Sequence, residues 1–126
     1  MTGEREAGSE GALGVHWIVD AADCDPQLLR DPKAIRRLLE RIVEDLDLHP
    51  VGDGLLHSFP GEAGITALWL LSESHLAVHT FPERRAASLD LYCCRPRAAF
   101  DWQGALAVHL GARRVSVRSF GRGTSA

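Results

Sequence analysis

The sequence predicts an α+β two-layer sandwich, in which a mostly antiparallel β-sheet carries two helices on one face. Six segments have the length and side-chain alternation of strands, and two have the apolar period of amphipathic helices. Their order along the chain is β-α-β-β-β-β-α-β, which favours this architecture. The 126 residues suffice for one such domain and are too few for two.

Periodicity and capping indicate the first strand and both helices. Residues 14–21 alternate as a strand does, and Asp31 followed by Pro32 is a good start for the first helix. Residues 101–111 predict the second, shorter helix. The apolar stripe of the first helix runs through Ile35, Leu38, Leu39, Ile42, Val43 and Leu46.

Five further strands are predicted at residues 54–59, 64–72, 75–81, 88–94 and 115–120. In the predicted strands at residues 75–81 and 88–94, alternation places one set of apolar side chains on the face toward the helices: Leu76, Val78, Leu89 and Leu91. The opposite face then carries His75, His79, Asp90, Tyr92 and Cys94. Histidines, a carboxylate and a thiol together are an unusual set of side chains for a solvent-exposed surface. We therefore expect this face to form a functional site or to be covered by another surface.

Composition and charge exclude several classes of protein. Hydrophobic residues make up 45% of the chain and charged residues 25%, as in ordinary globular proteins. The net charge of -3 is opposite in sign to that of proteins that bind nucleic-acid phosphates, so we expect no nucleic-acid partner. No apolar run approaches the ~20 residues of a membrane-spanning helix, so we expect no membrane partner either.

The amino-terminal residues and the cysteines bear on location. Residues 1–12 (MTGEREAGSEGA) lack the basic and apolar regions of a signal peptide and predict a disordered lead-in to a single domain at residues 13–126. Three cysteines, two of them adjacent, argue against a disulfide framework. We therefore expect a cytoplasmic protein.

The most specific segment is SESHLAVHTFPE at residues 72–83. It resembles the processing and active-site segment of the bacterial and archaeal S-adenosylmethionine decarboxylase proenzymes, which are pyruvoyl enzymes. The resemblance continues through AASLDLYCC at residues 86–94, reaches back to GVHWIVDAADCD at residues 14–25, and extends more faintly to residues 115–123. It is ungapped from residue 64 to residue 94.

This resemblance implies a proenzyme that cuts itself between Glu73 and Ser74 into fragments 1–73 and 74–126. The Ser74 hydroxyl would attack the Glu73 carbonyl, and β-elimination and loss of ammonia would convert Ser74 into a pyruvoyl cofactor. The implied substrate is S-adenosylmethionine, whose decarboxylation supplies the aminopropyl donor for spermidine. The family also implies a homodimer of processed protomers, which fits a polar sheet face that a partner covers.

The resemblance implies three catalytic side chains besides the cleavage pair. His79 matches the base that removes the Ser74 α-proton, and Thr66 matches a hydroxyl that assists the acyl shift. Cys94 matches the acid that protonates the decarboxylated carbon. Alternation independently favours Cys94 over Cys93, because it places Cys94 on the face of His79.

Three further residues correspond to substrate-binding positions. Phe59 and Phe81 match aromatic residues near the adenine and the sulfonium, where a ring face can attract a cation. Glu83 matches the carboxylate that holds the ribose hydroxyls. The pair Arg84-Arg85 stands where the family commonly has an aromatic and a small residue, and two cations there would repel a sulfonium unless they point outward.

The spacing of Ser74 and His79 presents a geometric difficulty. They are five residues apart, so strict alternation places them on opposite faces of one strand. A turn or bulge at residues 72–75 would bring them together, and we expect one there because a peptide bond must be attacked.

Two alternatives stay open for the non-enzymatic roles of these residues. His75, His79 and Cys94 have the ligand types of a metal site, but we expect no metal, because the Glu73-Ser74 step has no role in one. The chain could also be a non-processing homologue that acts as a binding or regulatory subunit, although its intact cleavage residues argue against this.

A second enzyme is possible on the same fold, namely a pyruvoyl-dependent decarboxylase of ornithine or arginine. Its processing residues would be unchanged, while the residues that bind adenosine in the family would be replaced by others. Thr66, Phe81, a short loop after Pro60 and Arg84-Arg85 all stand where such replacements would show.

Overall fold

A computed structural model of the chain describes residues 13–72, 74–94 and 99–123. Its six strands are β1 (Gly14–Ala22), β2 (Leu55–Ser58), β3 (Ile65–Leu71), β4 (Ser74–Phe81), β5 (Ala86–Cys93) and β6 (Arg114–Arg122). Its α-helices are α1 (Pro26–Leu29), α2 (Pro32–Asp45) and α3 (Trp102–Leu110), and a 3₁₀ turn at Pro82–Arg84 joins β4 to β5. The predicted order of elements is confirmed, with α1 as an addition. The predicted lead-in at residues 1–12 lies outside the described residues.

The strands form one sheet in the order β2-β3-β4-β5-β1-β6, and each of the five neighbouring pairs is antiparallel. The amino-terminal strand β1 therefore lies inside the sheet, between β5 and β6. This position brings His16 of β1 level with Tyr92 of β5, which is in turn level with His75 of β4.

The helices cover one face of the sheet, as predicted for a two-layer sandwich. The side chains that alternation turned toward the helices are buried: Leu76, Val78, Leu89 and Leu91. The apolar stripe of α2 packs into the same core through Ile35, Leu38, Leu39 and Ile42, all fully buried. None of the described elements covers the other side of the sheet, which is called the open face below. No helix of the described chain is long and apolar enough to span a membrane.

Helix α1 was missed by the sequence analysis although its start has the same signature as that of α2. Asp25 precedes Pro26, and its carboxylate accepts a hydrogen bond from the Gln27 N–H at 2.9 Å. Asp31 caps α2 in the same way, accepting from the Lys33 N–H at 3.0 Å. The repeated Asp-Pro pair was the signal that could have predicted this short helix.

Thr80 connects β4 to helix α1 and to the neighbouring strand β3. Its side chain is buried, and its hydroxyl donates to the Leu29 carbonyl at the end of α1 at 2.8 Å and accepts from the Ile65 N–H of β3 at 2.9 Å. Gly64 packs so closely here that a Cβ atom on it would overlap the Thr80 carbonyl oxygen. One hydroxyl thus satisfies two buried backbone groups.

We expect Thr80→Val to lower the free energy of unfolding by about 2–4 kcal/mol, because it leaves two buried backbone groups without a partner. Thr80→Ser is the matched control, since it keeps the hydroxyl and loses one methyl group, which costs about 1 kcal/mol. Urea unfolding followed by circular dichroism measures both. A valine variant as stable as the serine variant would show that the two hydrogen bonds contribute little.

Candidate active site

The residues predicted from the sequence fall into two groups at opposite ends of β4. Ser74 is the first residue of the strand and pairs with Cys93 of β5, and these two with Cys94 are called the serine end. His79 pairs with Thr66 of β3 near the other end, and this pair is called the histidine end. Five residue steps along the strand separate Ser74 from His79, or about 17 Å.

The hydroxyl of Ser74 is buried and has no hydrogen-bond partner, and it is the only buried side-chain nitrogen or oxygen in this situation among the described residues. Buried hydroxyls are nearly always paired, so an unpaired one needs an explanation. A hydroxyl that donates to no fixed acceptor is available to attack a neighbouring carbonyl. Glu73, which supplies that carbonyl in the predicted cleavage, lies outside the described residues.

The two adjacent cysteines face different environments, as alternation predicts. Cys93 is buried on the helix-covered side, level with Ser74, and Cys94 is exposed immediately after the end of β5. Both therefore lie at the serine end, but only the Cys94 thiol is open to a ligand. Cys94 is accordingly the better candidate for an acid that acts on substrate.

The histidine end contains a side-chain pair that crosses two strands. Thr66 Oγ1 lies 3.2 Å from His79 Nδ1, within hydrogen-bond distance. His79 is exposed on the open face of the sheet. The structure thus brings together the hydroxyl and the imidazole that the sequence predicted to act in processing, and the Nε2 atom of His79 is left without a partner among the described residues.

The predicted substrate-binding residues extend from the histidine end. Phe81 follows His79 by two residues on the same face, and it lines an open cavity of about 470 Å³ with Glu83, Arg84 and Ala86. Arg84 therefore does not point away from this cavity. Phe59, which follows β2, is half-exposed on the other side of β3, and its N–H donates to the Gly64 carbonyl at 2.9 Å.

Ser72 lies in the turn between β3 and β4, but no bulge interrupts the described residues of β4. The strand pairs in unbroken register with β3 and β5 from Ser74 onward, so Ser74 lies on the side of Leu76 and the helices, while His79 lies on the open face. The expectation that a turn or bulge would bring the two residues together was wrong, because the strand alternates strictly from Ser74 to His79.

The ligand set considered from the sequence for a metal, His75, His79 and Cys94, is not brought together either. His75 and His79 share the open face but lie four residue steps apart, or about 13 Å.

A cluster of His75 with two other side chains was not predicted from the sequence. The Nε2 atoms of His16 and His75 each lie 3.3 Å from the same Asp90 oxygen, Oδ1. The alternation of β1 already placed His16 on one face, but nothing in the sequence showed that β1 lies beside β5. Only the strand order brings the three residues together.

Comparison with known proteins assigns the chain to a family. The family model described as S-adenosylmethionine decarboxylase matches residues 15–123. The chain belongs to the S-adenosylmethionine decarboxylase family. A relative from Parasynechococcus marenigrum, named S-adenosylmethionine decarboxylase proenzyme, is 35% identical over 119 residues, which cover 90% of this chain and 88% of that protein.

Other similar proteins carry the same family name. A proenzyme from Pyrococcus furiosus is 33% identical over 86 residues, which cover 68% of this chain and 60% of that protein, so the chain matches only part of this relative's length. The crystal structure of the adenosylmethionine decarboxylase from Aquifex aeolicus superposes with a TM-score of 0.78 at 28% identity, and the match covers 91% of this chain and 94% of that one. The alternative of an ornithine or arginine decarboxylase finds no support in these comparisons.

The different environments of the cysteines predict different reactivity toward thiol reagents. Burial, with a smaller contribution from the Asp23 carboxylate, raises the pKa of the Cys24 thiol to about 11. At pH 8 we therefore expect iodoacetamide to modify exposed Cys94 and to spare Cys24, whose thiolate fraction is then about 10⁻³. Peptide mass mapping measures the modification at each residue.

Unfolding in urea should make Cys24 as reactive as Cys94, and Cys94→Ser should remove the rapid reaction of the folded protein. Rapid modification of Cys24 or Cys93 in the folded protein would contradict this assignment of the exposed thiol.

Proposed function

We propose that the chain is a self-processing, pyruvoyl-dependent decarboxylase of S-adenosylmethionine, whose product is the aminopropyl donor for spermidine synthesis. The observation that carries the proposal is the unpartnered, buried hydroxyl of Ser74, at the family's cleavage position. The exposed thiol of Cys94 would require a reducing compartment to stay reduced, so we place the enzyme in the cytoplasm.

In the proposed processing step the Ser74 hydroxyl attacks the Glu73 carbonyl, and the amide becomes an ester by an N-to-O acyl shift. A base then removes the Ser74 α-proton, the Glu73 carboxylate leaves, and hydrolysis with loss of ammonia gives a pyruvoyl group at residue 74. The imidazole of His79 can serve as this base, and the Thr66 hydroxyl at 3.2 Å can hold its Nδ1 atom so that Nε2 faces the proton.

A pyruvoyl group at residue 74 would supply an electrophilic carbonyl for the substrate amine and an electron sink for the loss of CO₂. The side chains around it would do the remaining work. The thiol of Cys94, exposed at the serine end, would return a proton to the carbon that has lost CO₂. The phenyl ring of Phe81 and the carboxylate of Glu83 line one cavity and would bind the adenosine part.

The separation of the two ends leads us to propose that each site is completed by a second copy of the chain. His79 cannot reach its own Ser74 along about 17 Å of regular strand. The open face also carries large apolar side chains that a monomer would leave in water: Leu55, Phe59, Leu68, Leu70, Phe81 and Phe120. A two-fold homodimer with packed open faces would cover them and set the histidine end of each protomer against the serine end of its partner.

The direct test of processing is the denatured mass of freshly purified protein. We expect two fragments that meet after Glu73, with the second lighter by one ammonia than a chain that begins with serine. Ser74→Ala should stay a single chain of 13.8 kDa and release no CO₂ from carboxyl-labelled S-adenosylmethionine.

Two variants of Thr66 distinguish the contribution of its hydroxyl to cleavage from the contribution of its side-chain shape. Thr66→Val should slow cleavage about 10²-fold or more, whereas Thr66→Ser should cleave at nearly the normal rate. An uncut wild-type chain would contradict the enzyme and favour the non-processing homologue, and complete cleavage without turnover of S-adenosylmethionine would overturn the substrate.

Complementation between two inactive variants tests the shared site. When Ser74→Ala and His79→Gln chains of different tag length are expressed together, the His79→Gln chain should be cleaved, because its Ser74 meets the intact His79 of its partner. Expressed alone, it should remain uncut.

The matched control replaces the first variant by the double variant Ser74→Ala/His79→Gln, which offers no intact His79 and should restore nothing. If the His79→Gln chain also stays uncut beside Ser74→Ala, each site lies within one chain and the composite dimer is wrong.

A further inference from the structure

A group of three side chains on the open face has no role in the proposed reaction. His75 of β4, Asp90 of β5 and His16 of β1 come from three adjacent strands, and their ligand atoms all lie within 4.8 Å of one another. Asp90 Oδ1 is 3.3 Å from the Nε2 atoms of both histidines. Backbone pairing on both sides holds each of these strands, so the three Cα positions are fixed.

We propose that His16, His75 and Asp90 form a binding site for a divalent transition-metal ion, with Zn²⁺ as the best match. Two imidazoles and one carboxylate are ligand types of open zinc sites, and bonds of about 2.0–2.1 Å in a tetrahedron place neighbouring ligand atoms about 3.3 Å apart. Both histidine–aspartate distances already have this value. Small rotations of the two rings would bring the histidine nitrogens to the same separation.

The fourth coordination position would face a cavity of about 380 Å³. This cavity is lined by His16, His75, Tyr92, Arg122, Leu13 and Gly123. The ring of Tyr92 stacks on that of His75, with centroids 6.1 Å apart, and meets the ring of His16 edge-on. Room for a water or a small ligand beside three protein ligands is typical of an open rather than a closed zinc site.

Arg122 contacts one of the proposed ligands and favours one tautomer of its ring. Its Nη1 atom lies 3.1 Å from His16 Nδ1, and because a guanidinium only donates, the imidazole accepts there and carries its proton on Nε2. A metal on Nε2 requires that proton to move to Nδ1, where it would oppose the Arg122 donor. Arg122 is exposed at the end of β6 and must turn away when the ion binds.

The test uses purified wild-type protein, with Zn²⁺ affinity from competition with a chelating dye and Co²⁺ absorption as a report of geometry. We expect one ion per chain and the intense visible bands of tetrahedral Co²⁺. His16→Gln, His75→Gln and Asp90→Asn should each lower the affinity about 100-fold or more. His49→Gln is the matched control, because His49 also lies near a carboxylate, Asp47 at 3.8 Å, and should bind as wild type does.

Arg122→Gln should raise the affinity about tenfold, since the amide oxygen can accept the Nδ1 proton that the guanidinium opposes. In the wild-type protein, Zn²⁺ should also protect His16 and His75, but not His49, from diethylpyrocarbonate, a readout that depends on no variant. Absent binding, weak octahedral Co²⁺ bands, cluster variants that bind Zn²⁺ as tightly as the wild-type protein, or unprotected His16 and His75 would each overturn the site. None of these readouts depends on self-cleavage or decarboxylation, so they test the metal site separately from the proposed function.

Discussion

The alternation of side chains along β4 is the constraint from which the rest of the site follows. Ser74 and His79 are an odd number of residues apart on a strand that pairs without interruption, so one faces the helices and the other faces away. No rotamer can bridge about 17 Å of strand. In the proposed reaction the two groups would therefore come from different chains, and the open face would be the surface on which these chains meet.

The same alternation divides the molecule into a structural side and a chemical side. Apolar residues of β4 and β5 pack under α2 and α3 in one continuous hydrophobic core. The residues between them carry the imidazoles, the carboxylate of Asp90 and the phenol of Tyr92 on the open face. Packing two such faces would remove the exposed leucines and phenylalanines from water and would enclose these polar groups. The same burial of apolar surface would therefore stabilise the dimer and complete its active sites.

The sequence predicted most of the fold, because the fold rests on periodicity that short segments display. The burial of Leu76 and Val78 and the exposure of Cys94 beside buried Cys93 all follow from period-two alternation. Strand order does not. Nothing in residues 14–22 indicates that β1 pairs with β5, so the contact of His16 with Asp90 could not be predicted from the sequence. The expected bulge in β4 was wrong because the strand pairs without interruption on both sides, a property that the sequence of β4 alone does not show.

The register of β4 depends on Thr80, the neighbour of His79. A slip of one residue would turn His79 toward the helices and Thr80 toward solvent, exchanging the two faces of the strand. In that register the Thr80 hydroxyl could reach neither the Leu29 carbonyl nor the Ile65 N–H, and both would be buried without a partner. Thr80 therefore specifies the register of β4 as well as stabilising the fold. Its hydrogen bonds exist only when His79 lies opposite Thr66 on the open face, which is the arrangement that the proposed chemistry requires.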